Sequence, residues 1–384
     1  MYQQQLQQQF QKLFGVSATN TYFAPGRTNL IGEHIDYNGG LVLPCAITFG
    51  TWLLVAPNND GEFRFRSLNF KDKADLKRKE RYDKIGSYWY NYPLGIINQF
   101  LKDGHDLKGL DMLFFGDLPI GSGLSSSASI EIVTAFAINK LFKANYQKID
   151  LALMGKAVEN NFMGVSSGIM DQFAVTFGEN GKALLLNCNT LDYQAVDCQL
   201  GEHMLAIINT NKHRKLSDSK YNERVSECQF ALSALQSVLD IQNLCDIDSA
   251  SLKLHEHLIN DVTVFKRAKH VVEENERVKQ AAVELAAHNL SAFGMLMYAS
   301  HDSLRDLYDV SGIELDAIVD YCKTNSDVAG ARMTGAGFGG CAIALVKKSA
   351  FNDFTAGVNK YYSDKIGYAP TVYSSHIGNG VMEI

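Results

Sequence analysis

The sequence predicts an α+β protein of two domains, and three observations carry that prediction. Its 384 residues exceed the length over which one hydrophobic core keeps growing, so the chain is expected to divide. The first half mixes β-rich runs with glycine-rich loops. From about residue 215 to about residue 305 the pattern turns to helical periodicity with little glycine, and strand signals return only afterwards. An amino-terminal α+β domain over residues 1–200 and a carboxy-terminal domain over 201–384, in which helices cover a sheet, follow from those changes.

The opening "MYQQQLQQQF" lacks the basic start and apolar centre of a secretory leader. No later run approaches the roughly 20 apolar residues that span a bilayer, so a cytoplasmic protein without membrane contact is expected. Next comes "GRTNLIGEHIDYNGG", from Gly26 to Gly40, where charged groups crowd between glycines against the apolar run "LVLPCAI". Charges so near core-type sequence either pair with one another or face a ligand. "GTWLLVAP" and "FRFRSLNF" then read as strands.

In "LDMLFFGDLPIGSGLSSSASIEIVTAFAINKLF" a strand ending with Leu110, Met112 and Phe114 leads to a helix marked by Ile130, Val133, Ala137, Ile138 and Leu141. Between them lie Gly121, Ser122, Gly123, Leu124, Ser125, Ser126 and Ser127. Glycines let backbone N–H groups approach an anion, and a helix start adds unpaired N–H groups and the positive end of its dipole. The stretch lacks the lysine of the Gly-x-x-x-x-Gly-Lys loop and misses the dinucleotide fingerprint; alone, a linker or a serine cap would also explain it.

"AVENNFMGVSSGIMDQF" places Glu159 late on an amphipathic helix marked by Leu151, Met154 and Val158, and the turn from Gly164 to Gly168 brings the chain back toward Asp171. One carboxylate could hold a metal and the other take a proton; in isolation each could equally be a surface or capping acid. "YNERVSECQFALSALQSVL" and "RVKQAAVELAAHNLSAFGMLMYASH" supply helices. "MTGAGFGGCAIALV" reads as a tight turn entering a buried strand, and "APTVYSSHIG" as a further strand.

Composition narrows the function. With 46% hydrophobic and 20% charged residues the chain is neither disordered nor fibrous. A net charge of −6 gives no electrostatic reason to bind nucleic acid or an anionic membrane, so a phosphate ligand must be held by local geometry. The seven scattered cysteines include no Cys-x-x-Cys pair and read as reduced thiols, and the histidines form no zinc pattern.

With these pieces in order, the chain resembles the galactokinase family within the GHMP small-molecule kinases. "GRTNLIGEHIDYNGGLVLP" is similar to the galactokinase signature, "PIGSGLSSSAS" to the GHMP phosphate loop and "MTGAGFGGCAIAL" to the third GHMP motif. Similarity continues through "NTNKHRKLSDSKYNERVSEC" and so covers nearly the whole chain. The resemblance implies a two-domain GHMP kinase-like fold, with an amino-terminal domain like domain 2 of ribosomal protein S5, a ferredoxin-like carboxy-terminal domain, and the active site where they meet. It implies ATP-dependent phosphorylation of α-D-galactose at its C1 hydroxyl, giving galactose 1-phosphate and ADP, in galactose breakdown through the Leloir pathway.

The same resemblance assigns roles. Glu33, His34 and Asp36 would hold sugar hydroxyls, joined by the Gly168 backbone and Tyr221; ionised acceptors at fixed angles suit a hexose. Asp171 would accept the proton of the C1 hydroxyl, and Arg27 would stabilise the transferring group and keep Asp171 ionised. Gly121 to Ser127 would cradle the phosphates of ATP, Ser127 and Glu159 would bind Mg²⁺ through oxygen, and Ser67 with Trp89 and Tyr92 would form the nucleotide side. Two departures stand out: Ser166-Ser167 where the family often has Asn-Cys, and Thr28 where Val is common. The implied partners are galactose and MgATP alone, with no nucleic acid and no membrane, and a monomer is expected. An N-acetylgalactosamine or broader hexose kinase, or a sugar sensor without catalysis, would share much of this pattern. The intact Ser126, Ser127, Ala128 and Ser129 favour an enzyme.

Overall fold

A thirteen-residue helix, α1 (Tyr2–Phe14), precedes the first strand. Most of its glutamines are exposed, while Leu6 and Phe10, one turn apart, bury against Leu54, Ala56 and Leu113. The glutamine-rich opening is thus an amphipathic helix on the back of the sheet. The structure is a computed structural model describing residues 2–119, 123–165, 167–212 and 217–384.

The chain next forms β1 (Asn20–Asn29), β2 (Leu41–Val42), β3 (Pro44–Pro57), β4 (Glu62–Ser67), β5 (Ala74–Lys77), α2 (Asn91–Lys102), β6 (Leu110–Gly116), α3 (Ser126–Leu141), α4 (Lys148–Ala157) and α5 (Met170–Phe177). β1, β3, β6, β4 and β5 lie side by side in that order, antiparallel except for β4 on β6. Inward residues of these strands, among them Leu53, Val55, Phe63 and Phe65, pack with Ile96, Ile97 and Phe100 of α2 and Ile132 and Val133 of α3. α3 is apolar around most of its circumference and is buried accordingly.

β7 (Lys182–Asn187) and β8 (Tyr193–Asp197) join β2 in a three-stranded sheet. β9 (His203–Asn209), β10 (Val328–Thr334), β11 (Cys341–Lys347) and β12 (Thr371–Ser375) make a four-stranded antiparallel sheet in the order β10-β11-β9-β12. Around it run α6 (Ser217–Leu235), α7 (Ser249–Leu254), α8 (Val262–Ala286), α9 (Leu290–Ser303), α10 (Ile313–Thr324) and α11 (Phe351–Ile366). Sequence periodicity runs without a break through residues 277–301, yet the structure ends α8 there and restarts as α9. His288 takes φ +56°, and the Asn289 side chain then caps α9 by accepting the Ala292 N–H.

The end of the chain crosses back to the first sheet: β13 (Met382–Glu383) pairs Glu383 with Tyr22 and Met382 with Phe23 of β1. One core runs between the halves, from Leu30, Ile31 and Ile35 to Val271, Val278 and Ile343. All seven cysteines are free thiols. Among the described residues no helix is long and apolar enough to cross a membrane.

Candidate active site

Arg27 owes its position to a β-bulge. The β1–β3 register shifts between Pro25 and Arg27, and a Cβ on the intervening Gly26 would stand 2.5 Å from Leu118 and 2.6 Å from the Leu124 carbonyl. This close approach lets the Arg27 N–H donate to Leu124 O at 3.2 Å, which ties the strand to the phosphate loop. The guanidinium, almost fully buried, donates from Nε to Asp171 Oδ1 at 2.7 Å and from Nη1 to Gly123 O at 2.8 Å. Asp171 sits in the first turn of α5, and its Oδ2 accepts the Ser125 hydroxyl at 2.6 Å.

The signature loop follows β1. Glu33 is buried and clamped: Oε1 accepts from Thr334 Oγ1 at 3.0 Å and from the Gly335 N–H at 2.5 Å, Oε2 accepts from Asn29, and Arg332 Nη1 lies 3.6 Å away. His34 adopts φ +64°. Its Nε2 lies 3.2 Å from the Ala336 carbonyl, which can only accept, so Nε2 carries the hydrogen and Nδ1 accepts the Tyr37 hydroxyl at 2.9 Å. Tyr37 in turn accepts from Tyr308 at 2.8 Å, and Tyr308 from the Cys228 thiol at 3.1 Å. The ring is neutral: burial first, and the nearby His270 next, push its pKa down to about 3. Both nitrogens have protein partners, so a hydroxyl meeting this ring shares Nε2–H with Ala336.

Asp36 shares the cavity with Asp171 and Glu33. Burial first, then those two carboxylates, raise its pKa to about 7. Its neighbour explains a glycine: a Cβ on Gly168 would fall 1.9 Å from Asp36 Oδ2, so only glycine leaves room for the carboxylate. Tyr221, at the start of α6, holds its ring 5.6 Å from His34 and 5.5 Å from Tyr37, and burial keeps its phenol protonated as a donor.

A cavity of about 460 Å³ collects Arg27, Glu33, His34, Asp36, Ser127, Glu159, Gly168, Asp171 and Tyr221. A second cavity of about 170 Å³ is lined by Ser67, Asn69, Phe70, Trp89, Phe114, Ser126 and Ser127, and both share Tyr92 and Ser127. The two spaces therefore meet at the start of α3. Glu159 belongs to a π-helical turn, Val158–Met163, that continues α4, a feature helical spacing in the sequence does not distinguish; Gly164 in the left-handed region ends it. Its Oε2 accepts the Ser167 hydroxyl at 2.7 Å. Ser127 and Glu159 face the first cavity with oxygen donors only, the type a hard divalent cation takes. Among the described residues no three acids, histidines or cysteines cluster as a metal site.

The expected residues converge, with qualifications. Gly121 and Ser122 lie outside the described residues, as does Ser166. Leu124 turns its side chain into the core at 2% exposure and offers only its backbone. Ser125 spends its hydroxyl on Asp171. Ser67 Oγ accepts the N–H groups of Asn69 and Phe70, shaping the loop that carries Phe70, and Trp89 stacks on that ring at 6.4 Å while donating to the Asp72 carbonyl. Of the departures, Thr28 donates to Thr334 Oγ1 at 3.1 Å and Ser167 supports Glu159, so both hydroxyls have work. Sequence reasoning missed Arg332, Thr334 and Gly335 as the clamp on Glu33, although the glycine-rich third motif pointed to that turn.

The fold and this divided site define a small-molecule kinase of the GHMP class: the GHMP kinase N-terminal domain matches residues 91–179 and the GHMP kinase C-terminal domain residues 281–364. A mevalonate kinase from Methanococcus jannaschii shares the fold, with a TM-score of 0.69 at 21% identity over 94% of this chain and 99% of its own. The galactokinase galactose-binding signature matches residues 8–57. A galactokinase of Enterococcus faecalis is 46% identical over 99% of each chain, and one of Clostridium tetani is 47% identical over 99% of this chain and 97% of its own. The structure of Lactococcus lactis galactokinase complexed with galactose superimposes with a TM-score of 0.97 at 42% identity over the whole of both chains. The chain belongs to the galactokinase family. It is accordingly a kinase that takes ATP as co-substrate and a sugar hydroxyl as acceptor.

Proposed function

We propose that the protein transfers the γ-phosphoryl group of ATP to the C1 hydroxyl of α-D-galactose, releasing galactose 1-phosphate and ADP. The observation that carries this reading is the junction at Tyr92 and Ser127, where a polar cavity rich in carboxylates opens onto an aromatic-lined one. The carboxylates of Glu33 and Asp36 and the phenol of Tyr221 hold sugar hydroxyls by directional hydrogen bonds, which selects among hexoses. Phe70 and Trp89 offer faces to the adenine.

Phosphoryl transfer asks the protein for positioning and for charge compensation. Asp171 accepts the C1 proton as the sugar oxygen attacks, and Arg27, bound to Asp171 and to the phosphate loop together, places its positive charge beside the transferring group. Ser127 and Glu159 would hold a Mg²⁺ through oxygen, and the ion would offset phosphate charge. A coupled ADP-release assay over galactose, N-acetylgalactosamine, glucose and mevalonate tests the reading. Galactose should give the highest kcat/KM; turnover only with another acceptor, or with none, overturns it.

A further inference from the structure

Ser125 lies in the phosphate loop but behaves unlike a phosphate ligand. It is 6% exposed, and its φ of +61° is a left-handed conformation that a non-glycine residue adopts only under strain. A serine before a helix ordinarily caps it, yet this side chain caps none of the N–H groups of α3. Its hydroxyl reaches 46 residues along the chain to Asp171 Oδ2. The two preceding residues give their carbonyls to Arg27, Gly123 to the guanidinium and Leu124 to the backbone N–H, while Arg27 holds Asp171 Oδ1. Loop, arginine and aspartate thus close a ring of hydrogen bonds.

We propose that Ser125 is a positioning residue for phosphoryl transfer: its hydroxyl aims the Asp171 carboxylate at the sugar oxygen and locks it to the loop that carries the nucleotide. The proposal rests on the reading of Asp171 as the base. Arg27 alone pins one oxygen and leaves the carboxylate free to pivot about that contact. Ser125 pins the other and turns the remaining lone pairs toward the cavity. A misplacement of about 1 Å at such a group costs on the order of 100-fold in rate. A hydroxyl used this way supports the transition state without binding either substrate, so its loss falls on kcat.

The test is steady-state kinetics of Ser125→Ala and Ser125→Gly beside Asp171→Asn. Both serine variants should lose roughly 10- to 100-fold in kcat while KM for ATP and for galactose stay within about twofold. Glycine accepts the left-handed backbone freely, so Ser125→Gly folds even where Ser125→Ala does not, and recovery of kcat in the glycine variant would show that backbone strain, not the hydroxyl, was at stake. A raised KM for ATP with unchanged kcat would assign the hydroxyl to the phosphates and overturn the proposal. If Asp171→Asn turns over normally, the base reading falls and this proposal with it. If Asp171→Asn is inert while both serine variants match the parent enzyme, only the role of Ser125 falls.

Discussion

At the scale of single residues, the cavity crowds carboxylates together. Asp36, Asp171 and Glu33 face one space, and Arg27 commits its guanidinium to Asp171 while Arg332 stands behind Glu33. Asp36 takes up the strain, with a pKa raised to about 7 by burial and by its two acidic neighbours. The ionised form is the stronger acceptor for a sugar hydroxyl, so binding weakens as pH falls through that value. We expect kcat/KM for galactose to fall as pH drops below about 7, with kcat at saturating sugar changing less. Asp36→Asn should abolish this limb and cost about 10- to 100-fold in sugar affinity, as loss of a charged acceptor does. A pH profile of the variant that keeps the limb would assign it to another group.

At the scale of elements, α3 does two jobs: its first turn lines both cavities and its middle carries a buried acid. Glu131 is fully buried, with Oε1 unpartnered and Oε2 accepting only a long 3.4 Å contact from Gln172, whose own Oε1 is also unpartnered. Burial, and after it Glu159, raise its pKa well above the usual carboxylate range. Below the unfolded-state value both states hold the proton and nothing is lost. Above it the native state must keep a proton that the unfolded chain releases, so stability falls as pH rises. Glu131→Gln carries the neutral shape permanently and escapes this penalty. Its urea midpoint should overtake that of the parent increasingly as pH rises above about 5; a pH-independent difference would mean that Glu131 is not held neutral.

At the scale of the whole molecule, what the sequence made legible was local and what it hid was long-range. The phosphate loop, the helices between about residues 215 and 305 and the strands beside the third motif announce themselves by spacing. The break at His288, the π turn under Glu159 and the return of Met382–Glu383 to β1 do not, because each depends on what packs against the segment rather than on its own period. Arg332 is the sharpest instance: an arginine in a strand preceding a glycine turn gives no sign that it is fully buried 303 residues from its acceptor, the Asn29 carbonyl, at 3.1 Å. It stands 3.6 Å from Glu33 and 3.9 Å from Glu274 of α8, and so joins the signature loop, the carboxy-terminal sheet and the long helix. At Glu274 burial pushes the pKa up, but Arg277, His270 and Arg332 outweigh it and hold it at about 2, so the acid stays charged. Arg332→Met would leave two buried carboxylates short of a cation, a loss of about 3–5 kcal/mol. Thermal unfolding should fall by roughly 5–15 °C. Calorimetry should show galactose affinity falling with it, since Glu33 loses its support, while ATP affinity holds because Phe70, Trp89 and Ser67 lie on the other cavity. Lower stability with unchanged galactose affinity would mean that Thr334, Gly335 and Asn29 suffice to place Glu33.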